Sequence, residues 1–122
     1  MIHVAAAVCI QKGKVLLASR PLDKPPAGWE FPGGKLEIGE TVQQAAIREL
    51  KEELNWNILP LDIIYRLKKG NITLHFVRVI PADETKPVPC ENQQVKWVEL
   101  SETFPEDMLE NDREFWQFLT GR

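Results

Sequence analysis

The sequence predicts an α/β fold in which a mixed β-sheet is sandwiched between α-helices, in a single domain over residues 1–122. A chain of 122 residues with 43% hydrophobic and 27% charged residues has the size and composition of one soluble domain. Its apolar patterns follow the order strands, helix, strands, helix. That order favours a mixed sheet between two helices over a regular βαβ repeat.

The first 20 residues predict strands that enter the core. Residues 2–10 are rich in Val, Ile and Ala, which is typical of a buried strand. The turn "QKGK" then leads into "VLLASR", and together these stretches predict a hairpin. The Pro-rich stretch "PLDKPPAG" after it predicts a loop, because proline cannot serve a central strand.

The segment from Thr41 to Leu54 has the period of a helix. Apolar residues recur there every four positions, at Val42, Ala46, Leu50 and Leu54. Thr41 with Gln44 three residues later predicts a capping box at the start. Asn55 predicts a left-handed stop at the end, since Asn adopts that conformation more readily than most residues.

The C-terminal half predicts three more strands and a second helix. Residues 58–69 and 71–80 are β-rich stretches joined by a Gly-Asn turn signal, and residues 81–92 carry three prolines and predict a long loop. Residues 93–100 alternate as a half-buried strand does, and residues 105–119 have apolar residues at near-helical spacing. The second helix is expected to close one side of the sheet.

Charge and cysteine content exclude several classes of protein. With 15 Lys and Arg against 18 Asp and Glu, the net charge is -3, so no basic field attracts a nucleic acid polymer. Cys9 and Cys90 are far apart and predict neither a disulfide framework nor a zinc site, so a reducing, cytoplasmic location is expected. The apolar N-terminal run is too short to span a bilayer, and we expect no membrane partner.

One stretch, "GWEFPGGKLEIGETVQQAAIRELKEELNW", concentrates acidic residues beside a glycine pair. Five of its carboxylates follow the glycine pair: Glu37, Glu40, Glu49, Glu52 and Glu53. The three carboxylates within the predicted helix share a face, which taken alone is typical of a solvated outer surface. The glycine pair, however, allows a sharp loop next to the helix, so loop carbonyls and helix carboxylates can converge. Convergent oxygen ligands are what Mg²⁺ requires, with substrate phosphates completing its shell.

The same stretch resembles the Nudix box, G-x5-E-x7-R-E-U-x-E-E-x-G-U. The matching residues, found over 23 positions, are Gly34, Glu40, Arg48, Glu49, Leu50, Glu52 and Glu53. Two positions differ: Asn55 stands where the family has Gly, and Trp56 where it has an aliphatic residue. The resemblance implies the Nudix fold and hydrolysis of a nucleoside diphosphate linked to another moiety, with water attacking phosphorus and a divalent metal assisting.

The resemblance also implies which residues hold the metal and catalyse the reaction. Glu49, Glu52 and Glu53 would be the metal ligands and catalytic acids, with the Gly33 carbonyl as a further ligand. The cation would be Mg²⁺, with Mn²⁺ as an alternative. Glu91 would be a fourth catalytic and metal-binding carboxylate, although a solvated loop acid is an equal alternative from the residues alone.

Three further box residues would support the site. The resemblance implies that Glu40 pairs with Arg48 and braces the loop against the helix, and that Gly34 belongs to the same support. None of the three needs to contact the substrate.

Outside the box the chain resembles the MutT-type branch of the family, which hydrolyses nucleoside triphosphates. Arg20 would bind a phosphate or the sugar and base side, with a surface arginine as the alternative. Phe31 would stack on the substrate or pack in the core. Asn111 matches an asparagine that hydrogen-bonds an oxidised guanine, whereas "NDRE" also has the shape of a capping box. The branch's aromatic and arginine beside the base have no clear match in "YRLKKGN".

The predicted function is therefore Mg²⁺-dependent nucleoside triphosphate pyrophosphohydrolysis, which releases a nucleoside monophosphate and pyrophosphate. The MutT-type resemblance implies a role in nucleotide-pool sanitising and DNA repair, with 8-oxo-dGTP as the leading candidate substrate. The alternatives are CTP or dCTP, a nucleotide sugar, a dinucleoside polyphosphate, or a non-catalytic module that binds a nucleotide or a protein. We expect a monomer or a homodimer.

Overall fold

The computed structural model describes residues 1–20, 28–90, 93–101, 104 and 106–121. Its elements are β1 (Ile2–Val8), β2 (Ile10–Gln11), β3 (Lys14–Ser19), β4 (Trp29–Glu30), β5 (Gly33–Lys35), α1 (Val42–Leu54), β6 (Ile58–Lys69), β7 (Ile72–Pro81), β8 (Val95–Glu99) and α2 (Glu110–Thr120). The α/β class and the mixed sheet between helices are confirmed. The structure adds a second sheet that the sequence did not predict.

The larger sheet has the strand order β5-β1-β7-β6. Strand β1 runs parallel to β7 and antiparallel to β5, which makes the sheet mixed. Alternate residues of β1 face opposite helices: Ala5 and Ala7 pack with α1, whereas Ala6 and Val8 pack with the aromatic residues of α2. Because both faces are covered, β1 reads as an almost uninterrupted apolar run.

The predicted N-terminal hairpin is shorter than expected. The stretch 2–10 breaks at Cys9, so β1 joins the larger sheet and only the two residues of β2 pair with β3. The turn between β2 and β3 places Lys12 at φ 53° and Gly13 at φ 75°, as a tight hairpin turn requires. Strand β3 pairs on its other side with β8, and β4 pairs with its end. A local turn signal therefore does not determine which sheet the first strand joins.

Helix α1 has the predicted boundaries. The Thr41 hydroxyl accepts a hydrogen bond from the Gln44 N–H, and the Gln44 side chain accepts one from the Thr41 N–H, which completes the capping box. Asn55 ends the helix at φ 47°, and its N–H donates to the carbonyls of Leu50 and Lys51. Such caps stabilise a helix end by about 1 kcal/mol, so a local signal suffices to place both ends.

Helix α2 starts later than the apolar spacing from residue 105 suggests. The backbone before it pairs with β4: Trp29 N–H donates to the Asp107 carbonyl and Leu109 N–H donates to the Trp29 carbonyl, each at 3.0 Å. These bonds hold Met108 in a β-bridge to Trp29 and accompany an extended Leu109, and the helix begins at Glu110. No helix within the described ranges is long and apolar enough to cross a membrane.

Candidate active site

A cavity of about 410 Å³ lies beside β5, between the carboxylates of α1 and the start of α2. The acidic part of its lining consists of the helix carboxylates and the residues of β5 beside them: Gly33, Gly34, Lys35, Glu49, Glu52 and Glu53. The apolar part contains Val4, Ala6, Phe31 and Leu74, and Arg20, Glu30, Gln93 and Asp112 complete the wall. The cavity lining thus combines a group of carboxylates with apolar side chains and the buried Asp112.

The glycine pair brings the backbone of β5 close to its neighbours. Gly33 has φ +153°, and a Cβ there would collide with the Ala5 carbonyl of β1. A Cβ on Gly34 would lie 2.5 Å from the Glu49 carboxyl carbon and 2.6 Å from each carboxylate oxygen. The absence of a side chain at Gly34 therefore makes room for the Glu49 carboxylate.

Arg48 ties the loop before α1 to the helix. Its Nε donates to Glu40 Oε2 at 2.8 Å and its Nη2 to Glu40 Oε1 at 2.9 Å, which is a bidentate pair. Nη2 also donates to the Lys35 carbonyl at 3.0 Å, and Nη1 to Glu49 Oε1 at 2.8 Å. The hydrogen bond from Arg48, helped by the Glu37 N–H, lowers the pKa of Glu40 to about 2. Arg48 thus contacts the loop, strand β5 and a helix carboxylate at once.

The residues in the acidic part of the lining fit a hard divalent cation by donor type. Glu49, Glu52 and Glu53 offer only carboxylate oxygens, and Gly34 provides the space in which the Glu49 carboxylate lies. Within the described part of the chain, no three His, Cys, Asp or Glu side chains already converge as a metal site. Substrate phosphates would have to complete the coordination, as is usual for Mg²⁺. Glu91, the fourth predicted ligand, lies outside the described residues.

Phe31 belongs to both the cavity wall and the core. Its side chain is 3% exposed and makes edge contacts with the rings of Phe76 and Phe115, at centroid distances of 5.9 Å and 5.1 Å. Its N–H donates to Asp112 Oδ2 at 3.1 Å. Phe31 therefore connects the strand that leads to the glycine pair with the start of α2.

Asp112 is an acid in the cavity wall that the sequence analysis did not identify as a site residue. It is 6% exposed, and burial first, then the nearby Glu30 charge, raise its pKa to about 8, against the lowering effect of the Phe31 N–H. A signal was present, because Asp112 shares the helical face of Phe115 and Trp116, three and four residues later. An acid on an apolar helix face must be buried, so the pattern contained a polar residue in the core.

Asn111, the predicted base-reading residue, is half-buried one position earlier on α2, and it is not among the described residues that line the cavity. The alternative interpretation, that Asn111 caps the helix, is wrong. The N-cap is Leu109, which makes no side-chain capping bond. The pairing of Leu109 with Trp29 shifts the helix start upstream of the "NDRE" sequence.

Arg20 lies at the end of β3, in the cavity wall. Its Nη1 is 3.9 Å from Glu30 Oε2 on β4, the strand that pairs with β3. Burial raises the pKa of Glu30, and the Arg20 charge opposes that shift. Arg20, Glu30 and Asp112 thus form a partly buried polar group at one side of the cavity.

Residues 1–119 match the family described as the NUDIX domain. A CTP pyrophosphohydrolase of Escherichia coli is 54% identical over 55 residues, 44% of this chain, and the matched stretch spans only 41% of that relative. An 8-oxo-dGTP diphosphatase of Proteus vulgaris is 40% identical over 84 residues, 64% of this chain and 75% of that protein. The solution structure of the E. coli ORF135 protein superimposes with a TM-score of 0.83 at 30% identity, over 99% of this chain and 89% of that one.

The chain therefore belongs to the Nudix family, as the box predicted. Similarity to 8-oxo-dGTP diphosphatases, together with a MutT structure from Aliivibrio salmonicida and Vibrio cholerae at 28% identity and a TM-score of 0.74, supports the MutT-type branch. That MutT match covers 97% of this chain and 98% of the other.

Proposed function

We propose that the chain is a divalent-metal-dependent nucleoside triphosphate pyrophosphohydrolase that releases a nucleoside monophosphate and pyrophosphate. The observation that carries the proposal is the polarity of the cavity that contains the box residues. The acidic part of its lining suits phosphates neutralised by cations, and the apolar part, with Phe31, Leu74 and the buried Asp112, suits a flat base with a polar edge. A nucleotide has both parts in one molecule.

A divalent cation held by Glu49, Glu52 and Glu53, Mg²⁺ or alternatively Mn²⁺, would offset phosphate charge and lower the pKa of a coordinated water. The chain's own residues prepare this site before a ligand binds. Arg48 holds the Glu49 carboxylate in place through its Nη1, while the bidentate Glu40 contact fixes the guanidinium. Lys35, which also lines the cavity, adds a positive charge beside the carboxylates.

In the reaction, a water oxygen forms a bond to phosphorus and one anhydride P–O bond breaks. The water proton passes to a carboxylate and the leaving pyrophosphate departs with the electron pair of the broken bond. The predicted bases are the box carboxylates and Glu91. Orientation by Arg48 matters because a displacement of about 1 Å at a reacting group can cost roughly 100-fold in rate.

We propose 8-oxo-dGTP as the first candidate substrate, as the MutT-type resemblance implies. Cytidine nucleotides are the second candidate, supported by the similarity to a CTP pyrophosphohydrolase and by Asp112. With its pKa near 8, Asp112 is mainly protonated at neutral pH and can donate a hydrogen bond to a base carbonyl or ring nitrogen. Asn111 remains the predicted guanine-reading residue of the resemblance, one position from Asp112.

The test is a panel of substrates assayed with Mg²⁺, with Mn²⁺ and with a chelator. It contains 8-oxo-dGTP, dGTP, CTP, dCTP, ADP-ribose and a diadenosine polyphosphate, with phosphate and pyrophosphate measured separately. Metal-dependent pyrophosphate release from a triphosphate supports the proposal. Preference for ADP-ribose or the dinucleotide favours the other hydrolase alternatives, and binding without turnover favours a non-catalytic module.

We also propose that the chain acts as a single domain, as a monomer or homodimer, in cytoplasmic nucleotide-pool sanitising. Size-exclusion chromatography with light scattering would determine the oligomeric state. The mutation frequency of cells that lack the protein would test the sanitising role.

A further inference from the structure

The Gln93 side chain lies in the cavity wall and has only one of its two polar atoms satisfied by the described residues. Gln93 is 9% exposed, and its Nε2 donates to the Ser19 carbonyl at 3.1 Å. Because a carbonyl can only accept, this bond determines which end of the amide is the nitrogen. Oε1 therefore points elsewhere, buried and without a hydrogen-bond donor among the residues that the structure describes.

The local backbone does not need this side chain to hold its place. Ser19 N–H donates to the Gln94 carbonyl at 2.9 Å, and Gln94 N–H donates to the Ser19 hydroxyl at 2.8 Å. These two bonds already join the end of β3 to the residues before β8. A purely structural role explains the Gln93 Nε2 bond, but among the described residues it leaves the buried Oε1 without a donor, which costs free energy.

Arg20 provides a complementary atom in the same cavity wall. Its Nε is a buried donor that finds no hydrogen-bond acceptor within the described ranges, although its Nη1 lies 3.9 Å from Glu30. Arg20 directly follows Ser19, to which Gln93 is bonded. Two residues of the cavity wall thus carry a buried donor and a buried acceptor that no described residue satisfies, and both residues are held by the end of β3.

We propose that Gln93 is a specificity-determining residue whose Oε1 accepts a hydrogen bond from the nucleoside, while Arg20 Nε donates to an adjacent acceptor of the same nucleoside. The inference rests on the proposed function, since it requires a nucleotide in this cavity. Neighbouring acceptor and donor atoms occur on the edge of an oxopurine or of cytosine, and a sugar hydroxyl offers both in one group. Each of these ligand groups presents a hydrogen-bond donor to Gln93 Oε1 and, beside it, an acceptor to Arg20 Nε.

The test compares Gln93→Leu with the parent and with the control Gln94→Leu, because the exposed Gln94 bonds Ser19 through its backbone alone. Values of kcat and KM are measured for dCTP against dUTP and dGTP against dATP, which differ at the base edge. They are also measured for CTP against dCTP and GTP against dGTP, which differ in the 2′-hydroxyl.

We expect Gln93→Leu to reduce discrimination about 10- to 100-fold in one series, mainly through KM, because the parent rejects nucleotides that leave its polar atoms unpaired. If discrimination is lost between nucleotides that differ at the base edge, Gln93 bonds the base. If it is lost between nucleotides that differ in the 2′-hydroxyl, Gln93 bonds the sugar. The Gln94→Leu control should keep the parent's ratios.

An equal fall in kcat/KM for every nucleotide, or unchanged ratios, would overturn the proposal and leave Gln93 as a structural clasp. Hydrolysis of no nucleoside triphosphate by the parent would instead refute the proposed function. If Gln93→Leu does not fold, Gln93→Met, which is unbranched and of similar length, replaces it. Calorimetric titration with nucleoside monophosphates then reports the same ratios without turnover.

Discussion

Replacing Gly34 by alanine tests the position of the Glu49 carboxylate without changing any charged residue. The new Cβ would lie 2.5–2.6 Å from the Glu49 carboxyl atoms, whereas ordinary van der Waals contact begins at 3.4 Å. The carboxylate must therefore retreat by about 0.8 Å or more. Gly34 does not have a left-handed φ, so alanine adds no backbone strain and the effect arises from the contact alone.

That retreat disturbs the 2.8 Å bond from Arg48 Nη1 to Glu49 Oε1. Since a displacement of about 1 Å at a reacting group costs roughly 100-fold in rate, we expect kcat in Gly34→Ala to fall by about two orders of magnitude. The concentration of Mg²⁺ that gives half-maximal rate should rise. The assay is pyrophosphate release from the preferred nucleotide over a Mg²⁺ titration, with the free energy of unfolding measured by urea denaturation.

Two further variants separate this effect from a general loss of stability. Gly13 lies in the β2–β3 turn at φ +75°, and a Cβ added there would have no atom of the described residues within 4 Å, so Gly13→Ala should lose about 1 to 2 kcal/mol of stability and keep its rate. Glu49→Asp shortens the acid, so its combination with Gly34→Ala should cost less than the sum of the two single changes. Parent-like kcat and Mg²⁺ dependence in a folded Gly34→Ala would refute the reasoning.

Four other sets of variants test contacts at the site and in the core. Glu49→Gln should lower metal-dependent kcat by orders of magnitude and leave the fold intact, checked by pyrophosphate release and circular dichroism; parent-like turnover would contradict the metal-ligand role. Glu40→Gln and Arg48→Met should each lower the affinity for Mg²⁺ and the rate, and the double variant should cost less than the sum of the two; strict additivity in this cycle would argue against a shared bridge. Burial holds the pKa of Asp112 near 8, above its ordinary 3.8, so the folded state retains a proton that the unfolded chain loses. Stability should therefore fall as pH rises from about 4 to 8, and urea denaturation should show no such fall in Asp112→Asn. Burial first, then the charges of Arg66 and His3, lower the pKa of His75 below its ordinary 6.5. The contribution of this shift to folding stability is therefore complete above pH 6.5 and is lost as the pH falls below that value. A His75→Phe variant whose stability is as sensitive to acid as the parent's would refute this.

Helix α1 and its box residues could be predicted because their determinants are close in sequence. The capping box spans Thr41 to Gln44, and Asn55 ends the helix through its own left-handed conformation. Arg48 and Glu40 are eight residues apart, on either side of the helix start. Propensity, capping and side-chain spacing act over one or two helical turns, so each can be read without knowing the rest of the fold.

The family, the order of elements and the group of carboxylates on α1 follow from the amino-acid sequence alone, since these depend on local pattern and on a specific motif. The parallel pairing of β1 with β7, and the position of Asp112 beside Phe31, 81 residues away in the chain, emerge only in the folded structure. The start of α2 is likewise set by pairing with Trp29, because those backbone bonds compete with helix formation at residues 107–109. Such choices depend on which distant groups reach each other once the core is packed. No local preference encodes that outcome.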